Sequence, residues 1–236
     1  MLKNSIMKSP LTSSLRKQTL MIKKAIPYNT DKKIKFKHMK NLFIKALLIV
    51  SFIGCKAQNP IIDLSENDGS YEIYGAYYKD TNNLLNPFVG TYIYNDGSKM
   101  LKIVLQKKEM SFWYNHYEDL IIGEYQYIED GVEKSNTLYK LDINYPNSRS
   151  HSIDGNLIMD GSTLCDDCLP HEKHLRGSVV ETETRNSAEI DFKLTTVGGQ
   201  PAIRVWLYWR YRTVVDGNPE PPQASFPGGE YIMLKQ

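Results

Sequence analysis

Cysteine is scarce: 236 residues hold three, Cys55, Cys165 and Cys168. So few sulfurs cannot staple a chain of this length, so its stability has to come from a packed core. Positive charge is scarce where nucleic acid would need it. Beyond residue 54 the chain keeps only 17 of its 29 Lys and Arg but 26 of its 27 Asp and Glu, a net of −9 with His neutral. An acidic body without a basic stripe argues against DNA or RNA as a partner. Catalytic signatures are missing as well: there is no Gly-x-Ser-x-Gly, Walker-type loop or dinucleotide fingerprint. No long amphipathic helix can be traced, and only one long apolar run is present.

That run is Leu42 to Ile53, broken by Lys45 and Ser51, with Met39-Lys40-Asn41 before it and Gly54-Cys55 after it. Its length suits a signal-peptide h-region and is short for a membrane span. A small residue directly before a Cys completes a lipobox. Residues 39–54 therefore read as a lipoprotein signal peptide, and Cys55 as the lipidated first residue of the mature chain. Residues 1–38 are Lys-rich without sustained period and are expected to be disordered. They read as an upstream extension with the true start at Met39, or as a cytoplasmic tail ahead of a signal anchor. Residues 55–66 read as a tether, polar and interrupted by Pro60. Several acyl chains on one Cys would make release from a membrane negligible. Lys56 supplies no acidic retention signal, so the expected address is the outer membrane, facing the periplasm.

From residue 67 to 236 the pattern is β. Candidate strands are Tyr71–Tyr78, Phe88–Tyr94, Met100–Leu105, Met110–Tyr114, Leu120–Ile128, Leu138–Ile143 and Ile153–Met159. Val179–Thr184, Ala188–Leu194, Ala202–Arg212 and Tyr231–Leu234 follow. Asp96-Gly97, Asp130-Gly131 and Gly198-Gly199 supply the positive φ that tight hairpin turns require. Roughly ten short strands at hairpin spacing predict one all-β domain, an antiparallel barrel or sandwich.

The lipobox, Asn86-Pro87-Phe88-Val89-Gly90-Thr91, Ile103 to Lys108, the Cys165-x-x-Cys168 pair and the terminal Leu234-Lys235-Gln236 together resemble an uncharacterised family of small lipoproteins from Bacteroidota. The resemblance implies an envelope address and β structure, and no activity. Gly90-Thr91-Tyr92 is similar to the Gly-x-Trp that opens lipocalin barrels, with Tyr in place of Trp, which favours a lipocalin-like barrel over a sandwich.

Two stretches invite chemistry. Cys165 and Cys168, with His171 and His174 just beyond, allow a local disulfide, a zinc site of two thiolates and two imidazoles, or a redox dithiol. Such a small ring would add about 2 kcal/mol or less. Asp166 and Asp167 between the sulfurs work against a lowered thiol pKa, and the His spacing is short for zinc. Because His171 and His174 are one residue too close, they do not form the protease His-Glu-x-x-His. The second stretch is Ala202 to Arg212, which sets Ile203, Val205, Leu207, Trp209 and Tyr211 on one face. Arg204, Trp206, Tyr208, Arg210 and Arg212 lie on the other. The first face reads as core. The second can stack on a sugar or grip an anion, or else simply pair with acids on adjacent strands.

The expectation is a non-enzymatic, lipid-anchored binding module for a small amphiphile, a glycan or an envelope partner. Arg204, Trp206, Tyr208 and Arg210 would contact the ligand, and no cofactor is required, zinc being the candidate if one binds. A structural lipoprotein without ligand is the alternative.

Overall fold

The computed structural model describes residues 42–45, 59–66, 70–71, 73–161, 167–181, 184–210 and 222–236. The chain divides into two units, 1–58 and 59–236. In the first, residues 42–45 are helical, with Leu42, Phe43 and Ile44 exposed.

The second unit is a closed antiparallel barrel of eight strands: β3 (Gly90–Asn95), β4 (Lys99–Trp113), β5 (His116–Glu129), β7 (Ile153–Asp160), β8 (Lys173–Val180), β9 (Ser187–Val197), β10 (Gln200–Trp209) and β11 (Gly229–Lys235). Strands adjacent in this series pair, and β11 closes on β3 through Leu234↔Ile93 and Lys235↔Tyr92. The barrel alternative is thus the one the chain adopts. Three strands lie outside the ring: β1 (Ile61–Asp63) and β2 (Tyr77–Lys79) add in parallel beyond β5, and β6 (Val132–Asn136) folds back on β5.

The predicted turns hold the register. Asp96 Oδ1 accepts from the Ser98 and Lys99 amides at 3.0 and 2.7 Å. Asp130-Gly131 and Gly198-Gly199 both have positive φ at the two central positions, the twist that suits a tight hairpin. Alternation then sorts the side chains. Leu101, Ile103 and Leu105 of β4, Ile190 and Phe192 of β9, and Ile203, Val205 and Leu207 of β10 are buried inside. Tyr92, Tyr125 and Tyr127 fill the interior with them, and burial pushes the Tyr92 hydroxyl up to about 12. Removing each such side chain from water contributes roughly 2–3 kcal/mol. Each end carries an aromatic stopper. Phe88, in a 3-10 turn over Asn86–Phe88, sits where β3 begins, and Phe226 packs on Tyr125, Tyr127 and Trp209 where β3 ends.

Several expectations are corrected. Leu138–Ile143 is a 3-10 segment over Leu138–Asp142 rather than a strand. The eighth strand begins at Lys173, before the expected Val179, because Leu175 and Val179 are its inward residues. Met100–Leu105 and Met110–Tyr114 are one bent strand, with a bulge between Lys108 and Ser111. Ile61–Asp63 forms a strand inside the stretch expected to be a tether. At β7 and β8 the backbones meet so closely that a Cβ on Gly177 would lie 2.2 Å from the Asp154 carbonyl oxygen. Only glycine fits there.

Candidate functional site

A cleft of about 360 Å³ opens on the barrel rim at the Phe226 end. Strand β5 brings Tyr125 to its floor, β6 and the following 3-10 segment bring residues 133–140 to one wall, and Ser152, Glu181, Thr184 and Ser225 form the other. Glu181 is buried and saturated with donors. Its carboxylate accepts from the Ser225 amide at 2.7 Å, the Ser225 hydroxyl, the Thr184 hydroxyl at 2.6 Å and Asn186 Nδ2 at 3.1 Å. With its oxygens so occupied it is poorly placed to take a proton from a substrate, and it works as a clamp that ties residues 222–226 to the rim. Ser225 Oγ lies 3.4 Å from the Tyr125 hydroxyl, whose pKa burial raises. The Tyr125 amide and carbonyl are both tied to Thr137 Oγ1, which fixes the wall of residues 133–140 to the floor. The outer lip is Tyr139, 65% exposed, with Lys134, Lys140 and Glu133. Such a lining offers hydroxyls, amides, both signs of charge and one exposed ring.

On the outer wall of β5 and β7 lies a second polar cluster, built around Arg149. Its guanidinium donates to both oxygens of Glu118 at 2.7 and 2.8 Å and to Asp154 at 2.6 Å. Asn156 bridges Glu118 to the Tyr71 hydroxyl, and Ser178 donates to Asp154. Nearby, His151 Nδ1 sits 2.9 Å from Glu124. Arg149, Glu118, Asp154, Asn156 and Ser178 thus satisfy one another, which marks them as supports of the wall, whereas the second Glu124 oxygen, Oε2, is buried without a hydrogen-bond partner.

The face Arg204, Trp206, Tyr208 and Arg210 points outward from the barrel. Arg204 is held by Glu230 and Asp167, Arg210 by Glu189 at 2.7 Å. Trp206 is buried beneath Arg204, whose guanidinium stands 4.6 Å from the ring centroid, and Tyr208 is 64% exposed. The expectation of a concave ligand wall at these four residues is not met, because Glu230 and Glu189 on the neighbouring strands, with Asp167 from a loop, already occupy the arginines.

Of the Cys/His cluster, Cys165 lies outside the described residues, as does Cys55. Cys168 is engaged in an interaction and is not a free thiol. His171 is exposed, whereas His174 is fully buried with Nδ1 2.9 Å from Asp191. Donor atoms of Cys168, Glu172 and His174 lie within 4.8 Å of one another, a set that zinc accepts. Glu172 is, however, ion-paired with Lys193, and the Cys168 sulfur is engaged. His171 has no place in that group, and Glu172 was not foreseen in it.

Sequence reading missed the cleft entirely. Tyr125 looked like any strand residue, and Glu181 and Ser225 are 44 residues apart. No local signal joins them.

Fold and cleft together define a β-barrel domain with a polar rim site and no recognisable catalytic apparatus among the described residues. The chain belongs to a family of unknown function, DUF6705, which it matches over residues 39–236. No curated protein and no solved structure matches it.

Proposed function

We propose that this chain is a lipid-anchored envelope protein that binds a small hydroxyl-rich ligand, a saccharide unit, in the rim cleft. The observation that carries the reading is the cleft itself: about 360 Å³, polar on both walls, with the exposed Tyr139 ring at its lip. Sugars are held by such a mixture of hydrogen-bonding groups and one stacking surface. An amphiphile fits less well. Its tail would need apolar space inside the barrel, which Phe88, Tyr92, Tyr125, Tyr127, Phe192 and Phe226 occupy. The anchor part of the reading rests on Gly54-Cys55 after an apolar run, and the outer-membrane address on Lys56.

Saturation-transfer NMR on the full chain carrying Cys55→Ser, against a panel of mono- and oligosaccharides, tests the ligand class. Transfer to at least one sugar is expected, with Tyr139→Ser weakening its binding by about 3–10-fold, the worth of one aromatic contact. Absence of transfer across the panel would leave a structural lipoprotein without ligand.

A further inference from the structure

We propose that the tip of the β4–β5 hairpin, with the adjoining Ile73-Tyr74 turn, docks on the surface of a lipid bilayer beside the acyl anchor. The proposal rests on the reading of Cys55 as lipidated and adds to it a defined orientation of the barrel.

The tip is an exposed apolar patch of unusual composition. Met110, Phe112 and Tyr114 are 53%, 49% and 81% exposed, and Ile73 and Tyr74 are 48% and 84% exposed. The two pieces are joined: the Gly75 amide donates to the Asn115 carbonyl at 2.6 Å. Residues 73–78 and 110–117 contain no Asp, Glu, Lys or Arg, in a chain that is 24% charged. Trp113 lies edge-on to Tyr114 at 4.6 Å. Tyr and Trp side chains of this kind favour the headgroup level of a membrane, where the ring is half in hydrocarbon and its polar atom stays wet.

Backbone conformation makes the choice of residues harder to explain by folding. Tyr114 has φ 49° in the two-residue turn between Trp113 and His116, and Met110 has φ 53° in the bulge. Glycine or asparagine would fit both positions with less strain. A large exposed apolar side chain at each therefore works against local stability. That arrangement points to use of the side chains outside the fold.

The covalent chain says which surface they meet. The Tyr77 amide donates to the Pro60 carbonyl at 2.8 Å, and Asn59 Oδ1 lies 3.8 Å from where a Gly75 Cβ would be. Residue 59 thus enters the barrel domain at the tip. Three residues lie between it and Cys55, and the four Cα steps reach ~14 Å at full extension. A bilayer holding acyl chains on Cys55 would lie within that distance of Asn59, which sits against the Gly75 turn next to Tyr74. The rim cleft sits at the far end. From His116 to Tyr125 strand β5 runs nine residues, roughly 30 Å of chain. Docking the tip would turn the cleft away from the membrane, open to the aqueous side.

The test uses the full lipidated chain in vesicles of phosphatidylethanolamine and phosphatidylglycerol doped with brominated phosphatidylcholine. The emission contributed by Trp113 is taken as the difference from a Trp113→Phe variant, and should be quenched by roughly twofold or more by lipid bromine if the ring sits at the interface. The double variant Tyr74→Ser/Tyr114→Asn, at two exposed sites, should keep its circular dichroism and its sedimentation with vesicles while losing the quenching. A chain that sediments with vesicles but leaves Trp113 unquenched overturns the docking and keeps the anchor. If the chain is freed by washing without detergent, the anchor reading itself has failed. Dimerisation of the Cys55→Ser chain in ultracentrifugation, abolished by the double variant, would make the tip a contact between copies and also overturn the docking.

Discussion

Arg149 and Arg204 make the same chemical arrangement in two settings. Each guanidinium grips two carboxylates, and the two side chains are similarly exposed, at 20% and 22%. Their partners differ. Glu118 and Asp154 are 0% and 8% exposed, whereas Glu230 and Asp167 are 39% and 66% exposed. Burial acts to lower the Arg149 pKa, but Glu118 and Asp154 outweigh it and hold the group above its ordinary value. Arg204 is also raised, chiefly by its hydrogen bond to Glu230. What an ion pair is worth is set by the group left behind when it is broken. An abandoned Glu118 would face no water, whereas an abandoned Glu230 would simply hydrate.

The comparison breaks most visibly at Arg149. Arg149→Met should cost about 3–5 kcal/mol in urea unfolding, because Glu118 is left buried without its guanidinium, keeping only the neutral Asn156 amide as a close donor. Adding Glu118→Gln should recover part of that loss; a cost below about 1 kcal/mol for the single variant would mean that water reaches Glu118.

A pH titration sharpens the same contrast. His116 stacks on Tyr71 with centroids 4.3 Å apart, and its Nε2 lies 3.6 Å from Glu118 Oε2. Burial lowers its pKa from the ordinary 6.5 and the Arg149 charge adds to this, while Glu118 opposes. The folded state therefore binds this proton less readily than the unfolded chain. The stability it contributes is full above about pH 6.5 and is lost as pH falls through the depressed folded value. His116→Phe should flatten the decline in Tm between pH 7 and 5; an unchanged slope would assign that decline to carboxylates alone.

The smallest effect belongs to Arg204. Arg204→Met should cost less than about 1 kcal/mol, and less still in high salt. A larger, salt-independent loss would show that its cover over Trp206 matters more than its charge.

Much of the barrel was legible in the chain. Alternation at Phe88 to Tyr94 and Ala202 to Trp209 and the three glycine turns are local signals, and they place strands and hairpins directly. Strand β5 was harder, because both faces are buried: Ile121 and Tyr125 pack inward while Leu120, Ile122 and Glu124 are covered from outside. A strand covered on both sides loses its alternation. Val132–Asn136, all polar beyond its first residue, carried no strand pattern and is held by pairing with β5. The site was illegible for another reason. Charge content shows that Arg149, Glu118 and Asp154 exist, but only tertiary closure decides which carboxylate is shut away from water. At Arg204 the sequence could offer either a ligand or an acid as partner, and the acids were near enough to win.

Closure through β11 and β3 has one more consequence. The ring is sealed by a short seam, Leu234 to Ile93 and Lys235 to Tyr92, between its first and last strands. During synthesis every hairpin from β3 to β10 can form before Gly229–Lys235 has emerged. Until that strand arrives, two ladders of unpaired amides and carbonyls stand open, each able to recruit a neighbouring molecule. The growing barrel is therefore most prone to sticking just before it is finished.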